Sequence, residues 1–386
     1  MRAATFVAAT CAGVLCASAI GHNQAPLHKP SSVEANGTSP LLALHKNLVE
    51  ITSTSGSERN ASDFLKAYLQ RHGFTVETQD VEANRQNVYA YLGSSRSTRV
   101  LVTSHIDTVP PYWPYERKGD EIWGRGSVDA KGSVASQIIA VEALIKDDKI
   151  AEGDVGLLFV VGEEDSGIGM QTANKLELSW EAVIFGEPTE LKLASGHKGG
   201  IGFTIRAKGK AGHSGYPDEG RNAIDLLVNG LAALQQLRLP SSREFGETTL
   251  NVGRIEGGVA ANVIPEDASA TAMVRIAAGT PARIMGLIQR AVAEVSYDLS
   301  VEFKAGRSPI AIDTDIDGFE TIVVSYGTDI GNLQGDHKRY LYGPGTILLA
   351  HSDHEHIKIK DLEDAVEGYK ALITKNLERS AKPTNV

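Results

Sequence analysis

Four apolar runs in this sequence end abruptly in metal-competent side chains, and one more such residue follows the first of them. Val100-Leu101-Val102 leads to His105 and, two residues on, Asp107; a polar, proline-rich loop then reaches Gly124-Arg125-Gly126 and Asp129. Residues 157–161 end in Glu163-Glu164, Val183-Ile184-Phe185 in Glu187, and Ile347-Leu348-Leu349 in His351. Imidazole and carboxylate donors without thiolate suit a hydrolytic zinc site, with cobalt or manganese chemically admissible. A paired-metal site needs a bridging carboxylate and terminal His or carboxylate ligands, the ions lying about 3.5–4 Å apart. His105, Asp129, Glu164, Glu187 and His351 supply that inventory. Asp107 is placed to accept the second ring N–H of His105 and fix its tautomer. Side chains of adjacent residues diverge, so one of Glu163 and Glu164 can ligate while the other stays free as a general base. Each residue has a plainer reading: a lone His at a strand end is ordinarily a satisfied core or surface residue, and a Glu-Glu pair is ordinarily solvated. Their convergence at four strand ends favours the site. His351 is nearest its apolar run, while His354 and His356 remain open as alternatives.

The elements that must position these groups follow from pattern. Apolar runs without alternation suit strands buried on both faces of a largely parallel sheet, and in such sheets ligands bind beyond the carboxyl ends of the strands. Helical spacing at 41–50, 62–71, 133–145 and 362–376 supplies the flanking layers, with short strands at 75–81 and 87–92. Residues 201–310 change character. Strands at 201–207, 248–255, 268–276 and 299–303, with helices at 223–237 and 282–295, give the order β-α-β-β-α-β. The expected fold is therefore α/β, a mixed, largely parallel sheet flanked by helices, interrupted by a ferredoxin-like α+β insertion. Its boundaries are 40–198 and 307–386 for the sheet domain and 199–306 for the insertion. A chain of 386 residues also favours two cores over one.

The N-terminus differs from the rest. Arg2 precedes an apolar run over 3–17, too short for a comfortable membrane span, and Ala17-Ser18-Ala19 suits signal peptidase. Residues 1–19 read as a secretory signal and 20–39, rich in Pro, Ser, His and Asn, as a disordered leader or pro-segment. Both cysteines, Cys11 and Cys16, fall in the signal, so the mature chain would hold its metal through His and carboxylates alone. Asn36-Gly37-Thr38 and Asn60-Ala61-Ser62 are glycosylation acceptors in an exported chain. A net charge of −10 argues against nucleic acid or anionic membranes as partners.

Ser104-His105-Ile106-Asp107, Gly126-Ser127-Val128-Asp129-Ala130-Lys131-Gly132, Gly162-Glu163-Glu164, Gly186-Glu187-Pro188-Thr189 and His351-Ser352-Asp353-His354-Glu355 occur in that order. They resemble the five signature segments of the zinc metallopeptidase family that contains acetylornithine deacetylase, succinyl-diaminopimelate desuccinylase, glutamate carboxypeptidase and the aminoacylases. The match spans nearly the whole chain after residue 40. The resemblance implies two zinc ions bridged by Asp129, with His105 and Glu187 completing one and Glu164 and His351 the other. It makes Glu163 the catalytic base, supported by Asp107 behind His105. It makes the insertion a lid or dimerisation domain whose His213, in Gly212-His213-Ser214-Gly215, helps stabilise the tetrahedral intermediate, sometimes from a partner subunit. Asn262 and Arg275 resemble lid positions that hold the substrate carboxylate, and Gly343 and Gly345 resemble pocket-lining positions. Two positions depart from the family pattern: His354-Glu355 stands where Asn-Glu is usual, and Ala130 follows the bridging Asp where Met or Asp is commoner.

The expected function is a secreted zinc carboxypeptidase that cuts a small peptide at an amide bond beside a free carboxylate, and the insertion offers a surface for a homodimer. An N-acyl-amino-acid deacylase shares the same mechanism and differs in the pocket on the leaving side. A metal-binding protein without turnover is the third reading, and the presence of Glu163 argues against it.

Overall fold

The computed structural model of the chain describes residues 39–380. The signal, all of the leader but its last residue, and Asn36 lie outside the described residues. Six strands form the central sheet in the order Thr75–Glu82, Arg85–Tyr91, Val155–Val160, Val100–His105, Ala182–Gly186 and Lys338–Tyr342. The last four are parallel, and the first two form an antiparallel hairpin at one edge. Val100–His105, Val155–Val160 and Ala182–Gly186 are buried at every position. Their side chains alternate between two cores. Val100 and Val102 face Leu44, Leu48, Val134, Ile138 and Leu372, while Leu101 joins Leu158, Met170, Trp180 and Val183 on the other face. That two-sided burial is why the strands show no polar alternation.

The helix Lys131–Lys146 is buried over most of its surface between the sheet and the helices Pro40–Glu50 and Ile359–Ser380. Pro40–Glu50 starts with Pro at its first position and the Ser39 hydroxyl accepting from the Leu42 N–H, two features that favour a helix start there. The inserted unit is a four-stranded antiparallel sheet ordered Thr249–Gly257, Asp267–Ile276, Gly199–Lys208, Leu299–Phe303. Its helices Ala223–Gln236 and Pro281–Ala293 bury one face around Ile205, Leu227, Val274 and Ile288. The other face stays open, and Gly200, Gly202 and Thr204 alternate along it.

One expected strand is absent. Residues 347–349 form a turn in which Leu348 is 80% exposed. The strand of this region is Lys338–Tyr342, which pairs with Ala182–Gly186. Its polar start disguises it in the sequence, whereas three consecutive aliphatic residues imitate a buried strand.

Candidate metal centre

The candidate residues collect at the carboxyl ends of the parallel strands, where the fold class places ligands. His105 closes its strand, Glu187 directly follows Ala182–Gly186, and Glu163-Glu164 follow Val155–Val160 by three and four residues. Asp129 sits in the loop before Lys131–Lys146. His351 lies in the exposed turn with a left-handed backbone, φ 62°.

The two carboxylate oxygens of Asp129 face different histidines. Oδ1 lies 3.1 Å from His105 Nε2, and Oδ2 lies 3.3 Å from His351 Nε2. Each histidine then meets a second carboxylate: Glu187 Oε1 is 3.8 Å from His105 Nε2, and Glu164 Oε2 is 2.9 Å from His351 Nε2. One donor atom each from His105, Asp129 and Glu164 lies within 4.8 Å of the others. His354 is exposed and pairs with Asp353 at 2.8 Å. His356 stacks on Trp123 at 4.5 Å between centroids. Of the three histidines, only His351 faces the cluster.

Asp107 meets His105 twice. The Nδ1–H of His105 donates to the backbone carbonyl of Asp107 at 2.9 Å, and the Asp107 carboxylate lies 3.5 Å from the same nitrogen. The carboxylate also accepts from Ser55 Oγ at 2.7 Å and from the N–H groups of Glu163 and Glu164 at 3.0 and 3.2 Å. Asp107 therefore backs the imidazole with both its carbonyl and its carboxylate, and the carboxylate also fastens the Glu163-Glu164 loop.

Glu355, beside the departure from the family pattern, is a group whose role the sequence left unread. It is 1% exposed and pairs with buried Arg125 at 2.5 Å. Its Oε1 accepts from the N–H groups of Gly126, Val128 and Asp129 at 2.9, 3.2 and 3.3 Å. One buried carboxylate thus ties down the loop that presents Asp129. Burial raises its pKa to about 6, aided by the charge of Asp129 and opposed by Arg125.

The electrostatics fit a cation. Burial and the neighbouring acids push Glu187 well above the usual carboxylate range, and desolvation plus the charge of Glu187 does the same to Glu163. Desolvation and Asp129 raise Glu164. Burial would lower His105, but hydrogen bonding to Asp107 and Asp129 overrides it and holds the imidazole well above its ordinary value. Hydrogen bonds from the His351 ring to the carboxylates of Asp129 and Glu164 lift it to about 10. Asp129 stays below its ordinary value, since the two histidines outweigh its burial. A cluster of acids forced toward neutrality, with N/O donors only, has the donor chemistry for divalent metal.

A cleft of about 610 Å³ lies between these carboxylates and the open face of the inserted sheet. Arg275 lines it. His213 and Asn262 do not: His213 is exposed on a two-residue strand paired with Val263, and the Asn262 carbonyl accepts from the Ser214 N–H at 3.1 Å. Gly343 and Gly345 are not among the residues that line this cleft. A Cβ on Gly343 would meet the Glu187 carbonyl oxygen at 2.5 Å, and one on Gly345, at φ 75°, would meet Val128 at 2.2 Å. Both glycines permit close backbone packing. Asn60 is exposed in the first turn of the helix Arg59–Arg71. His197 and Arg307, which also line the cleft, were missed. The run Gly199-Gly200-Ile201-Gly202 was the available signal, because glycines within a strand mark close approach by a ligand or another chain.

This architecture, with clustered donors beyond a parallel sheet and a lid opposite, is that of a hydrolase of the metallopeptidase type. Residues 195–299 match the peptidase dimerisation domain model. A peptidase M20 domain-containing protein of Schizosaccharomyces pombe is 48% identical over 345 residues, covering 87% of this chain and 85% of its own. A probable carboxypeptidase of Aspergillus clavatus is 46% identical, covering 92% and 95%. The chain belongs to the M20 peptidase family. In fold it is similar to a tripeptidase from Staphylococcus aureus, with TM-score 0.73, 21% identity and coverage of 88% and 98%. It is likewise similar to an M20 family metallo-carboxypeptidase from Sulfolobus solfataricus, with TM-score 0.72, 17% identity and coverage of 88% and 99%. Among the described residues no helix is long and apolar enough to cross a membrane.

Proposed function

We propose that the protein is an exported, two-metal carboxypeptidase that removes a C-terminal residue from small peptides, with zinc as its metal. The division of Asp129 between two histidine–glutamate pairs carries this reading. His105 and Glu187 would hold one ion, Glu164 and His351 the other, and Asp129 both. Bound divalent metal supplies Lewis-acid polarisation of the scissile carbonyl and a water of lowered pKa. Glu163, left outside both donor sets, takes the proton of the attacking water and returns it to the leaving amine. Arg275, on the opposite wall of the cleft, binds the free carboxylate. His213 and Asn262 would serve the cleft of a second copy, docked through the unit that carries the dimerisation-domain match. The fungal relatives named probable carboxypeptidases support exopeptidase activity, and the N-terminal signal pattern supports export.

The deciding experiment compares an N-blocked dipeptide bearing a free C-terminus with a simple N-acetyl amino acid, after chelation and again after zinc replenishment. Zinc-restored release of the C-terminal residue from the dipeptide alone supports the reading. Preference for the acetyl compound replaces it with an N-acyl-amino-acid deacylase.

A further inference from the structure

The turn that carries Glu163 and Glu164 is buttressed by groups outside the donor set. The Gly162 carbonyl accepts from the N–H groups of Ser166 and Gly167 at 3.2 and 2.6 Å, closing a turn with Glu163, Glu164 and Asp165 at its crest. Glycines stand at both feet, each with a left-handed backbone, φ 74° at Gly162 and 68° at Gly167. A Cβ on Gly167 would meet Asn332 Cγ at 3.0 Å and Asp329 Oδ1 at 3.2 Å, and Asn332 Nδ2 donates to that oxygen at 2.8 Å. A Cβ on Gly162 would lie 2.5 Å from Arg85 Nη2. One foot of the turn thus rests on the Asp329 and Asn332 side chains and the other on a guanidinium.

Arg85 is buried there because of how its strand ends. Arg85–Tyr91 pairs with Val155–Val160 only from Val88 onward, so Arg85 and Asn87 overhang the point where the turn leaves its strand. Residues two apart on a strand share a face. Asn87 takes up the backbone at that point, accepting from the Val161 N–H at 3.2 Å and donating to the Gly169 carbonyl at 2.8 Å. Arg85 lies beneath Gly162, held as a fork. Its Nε and Nη2 donate to the two oxygens of Glu58 at 2.9 and 2.6 Å, and its Nη1 donates to Glu82 at 2.9 Å. Glu58 is buried and also accepts from the Gly56 N–H at 3.0 Å. A two-pronged, charge-assisted pair of this kind fixes geometry as well as adding energy. The Ser55 hydroxyl bonds Asp107, which in turn holds the Glu163 and Glu164 N–H groups. Residues 55–58 therefore anchor two separate supports of the same turn.

Glu164 faces His351 and Asp129 across the centre, but no hydrogen bond holds the Glu163 carboxylate among the described residues. Its place depends on the turn alone. We propose that Arg85, clamped by Glu58, is a positioning residue for the general base, setting the height at which the turn holds the Glu163 carboxylate over the attacking water. The inference rests on Glu163 being that base and not on which amide bond is cut. A base that drops by about 1 Å loses its aim at the water, while the donors, the cleft and Arg275 stay as they were.

The test compares four zinc-loaded proteins on whichever substrate the wild type hydrolyses, the N-blocked dipeptide or the N-acetyl amino acid. They are the wild type, Arg85→Met with Glu58→Gln, Glu163→Gln, and all three changes together. Removing both charges at once leaves neither ion buried alone, which spares the fold. The paired change is expected to keep its metal content and KM and to lose about 10- to 100-fold in kcat, the effect of a misplaced catalytic group. Added to Glu163→Gln, it should cost less than about two-fold, because no base is left to aim. An equal loss in both backgrounds overturns the inference, since it marks a merely structural pair. A wild-type kcat overturns it too, as does a loss of metal in place of rate. If the paired variant does not fold, Arg85→Lys, which keeps the charge beside Glu58 but not the fork, goes through the same two backgrounds under the same criteria. Near-normal turnover in Glu163→Gln alone removes the base assignment and this inference with it, and leaves the hydrolase standing.

Discussion

Glu163 and Glu164 are chain neighbours whose surroundings separate their tasks. Glu164 faces His351 and Asp129, whereas Glu163 lines the cleft and makes no hydrogen bond to either histidine. Glu163→Gln is expected to keep its metal, read by elemental analysis, and to lose at least ~10²-fold in kcat, the size of effect typical of a general base. Near-normal turnover would sink that role. Glu355 is a positioning residue. Replacing it with Ala would leave Arg125 buried without its partner, at a cost of about 3–5 kcal/mol in denaturant unfolding, because a buried charge stripped of its counter-ion is strongly destabilising. A loss under about 1 kcal/mol would mean that water reaches Arg125 in its place. At this scale the sequence was legible where chemistry restricts residue type. His105, Asp129, Glu164, Glu187 and His351 were named from donor chemistry, and the structure gathers them, although His351 comes from a turn where a strand end was expected and Asp129 from a loop. Asp107 was named for its side chain, which does face His105, but the closer contact of its carbonyl was not legible, since residue type carries no signal for a backbone acceptor. Glu355 was unreadable because its partner is distant in the chain: Arg125 lies 230 positions away.

The elements divide into those with a period and those without. The β-α-β-β-α-β insertion alternates because only one face of its sheet is covered, so its strands and helices were legible to within a few residues. The turn that delivers His351 has no such signature. It hangs from Gly345, whose φ of 75° and 2.2 Å virtual contact with Val128 leave no space for a side chain. Gly345→Ala is expected to cost about 1–3 kcal/mol from backbone strain and overpacking. It should also weaken the metal that Glu164 and His351 would hold, because the turn that must shift carries His351. Wild-type unfolding together with unchanged metal retention would show that the turn adapts without moving His351.

The whole molecule should register its metal through pH. A buried carboxyl with a raised pKa keeps a proton when folded that the unfolded chain has already released, so the folded state loses ground as pH rises past the ordinary value. Glu163, Glu164 and Glu187 all behave this way without a cation. His105 and His351 add to the trend, since their stabilisation is full below the ordinary value of 6.5 and fades as pH climbs toward the raised one, about 10 for His351. Asp129, shifted downward, contributes steadily throughout this range. The gap in Tm between zinc-loaded and chelated protein is therefore expected to widen from pH 5.5 to pH 8. A gap that stays constant or narrows would show that these groups are not balanced by the metal.

The order in which the chain supplies its parts has one more consequence. His105, Asp129, Glu164 and Glu187 are made early, but His351 and the Glu355 that secures Asp129 arrive only after the whole inserted unit. A ribosome that has completed the first four donors has produced an acidic basin with one histidine. Hydrolytic competence is thus deferred until the insertion has been made and left behind, and a chain stopped at Ala350 should be inert toward peptides however well its earlier part has folded.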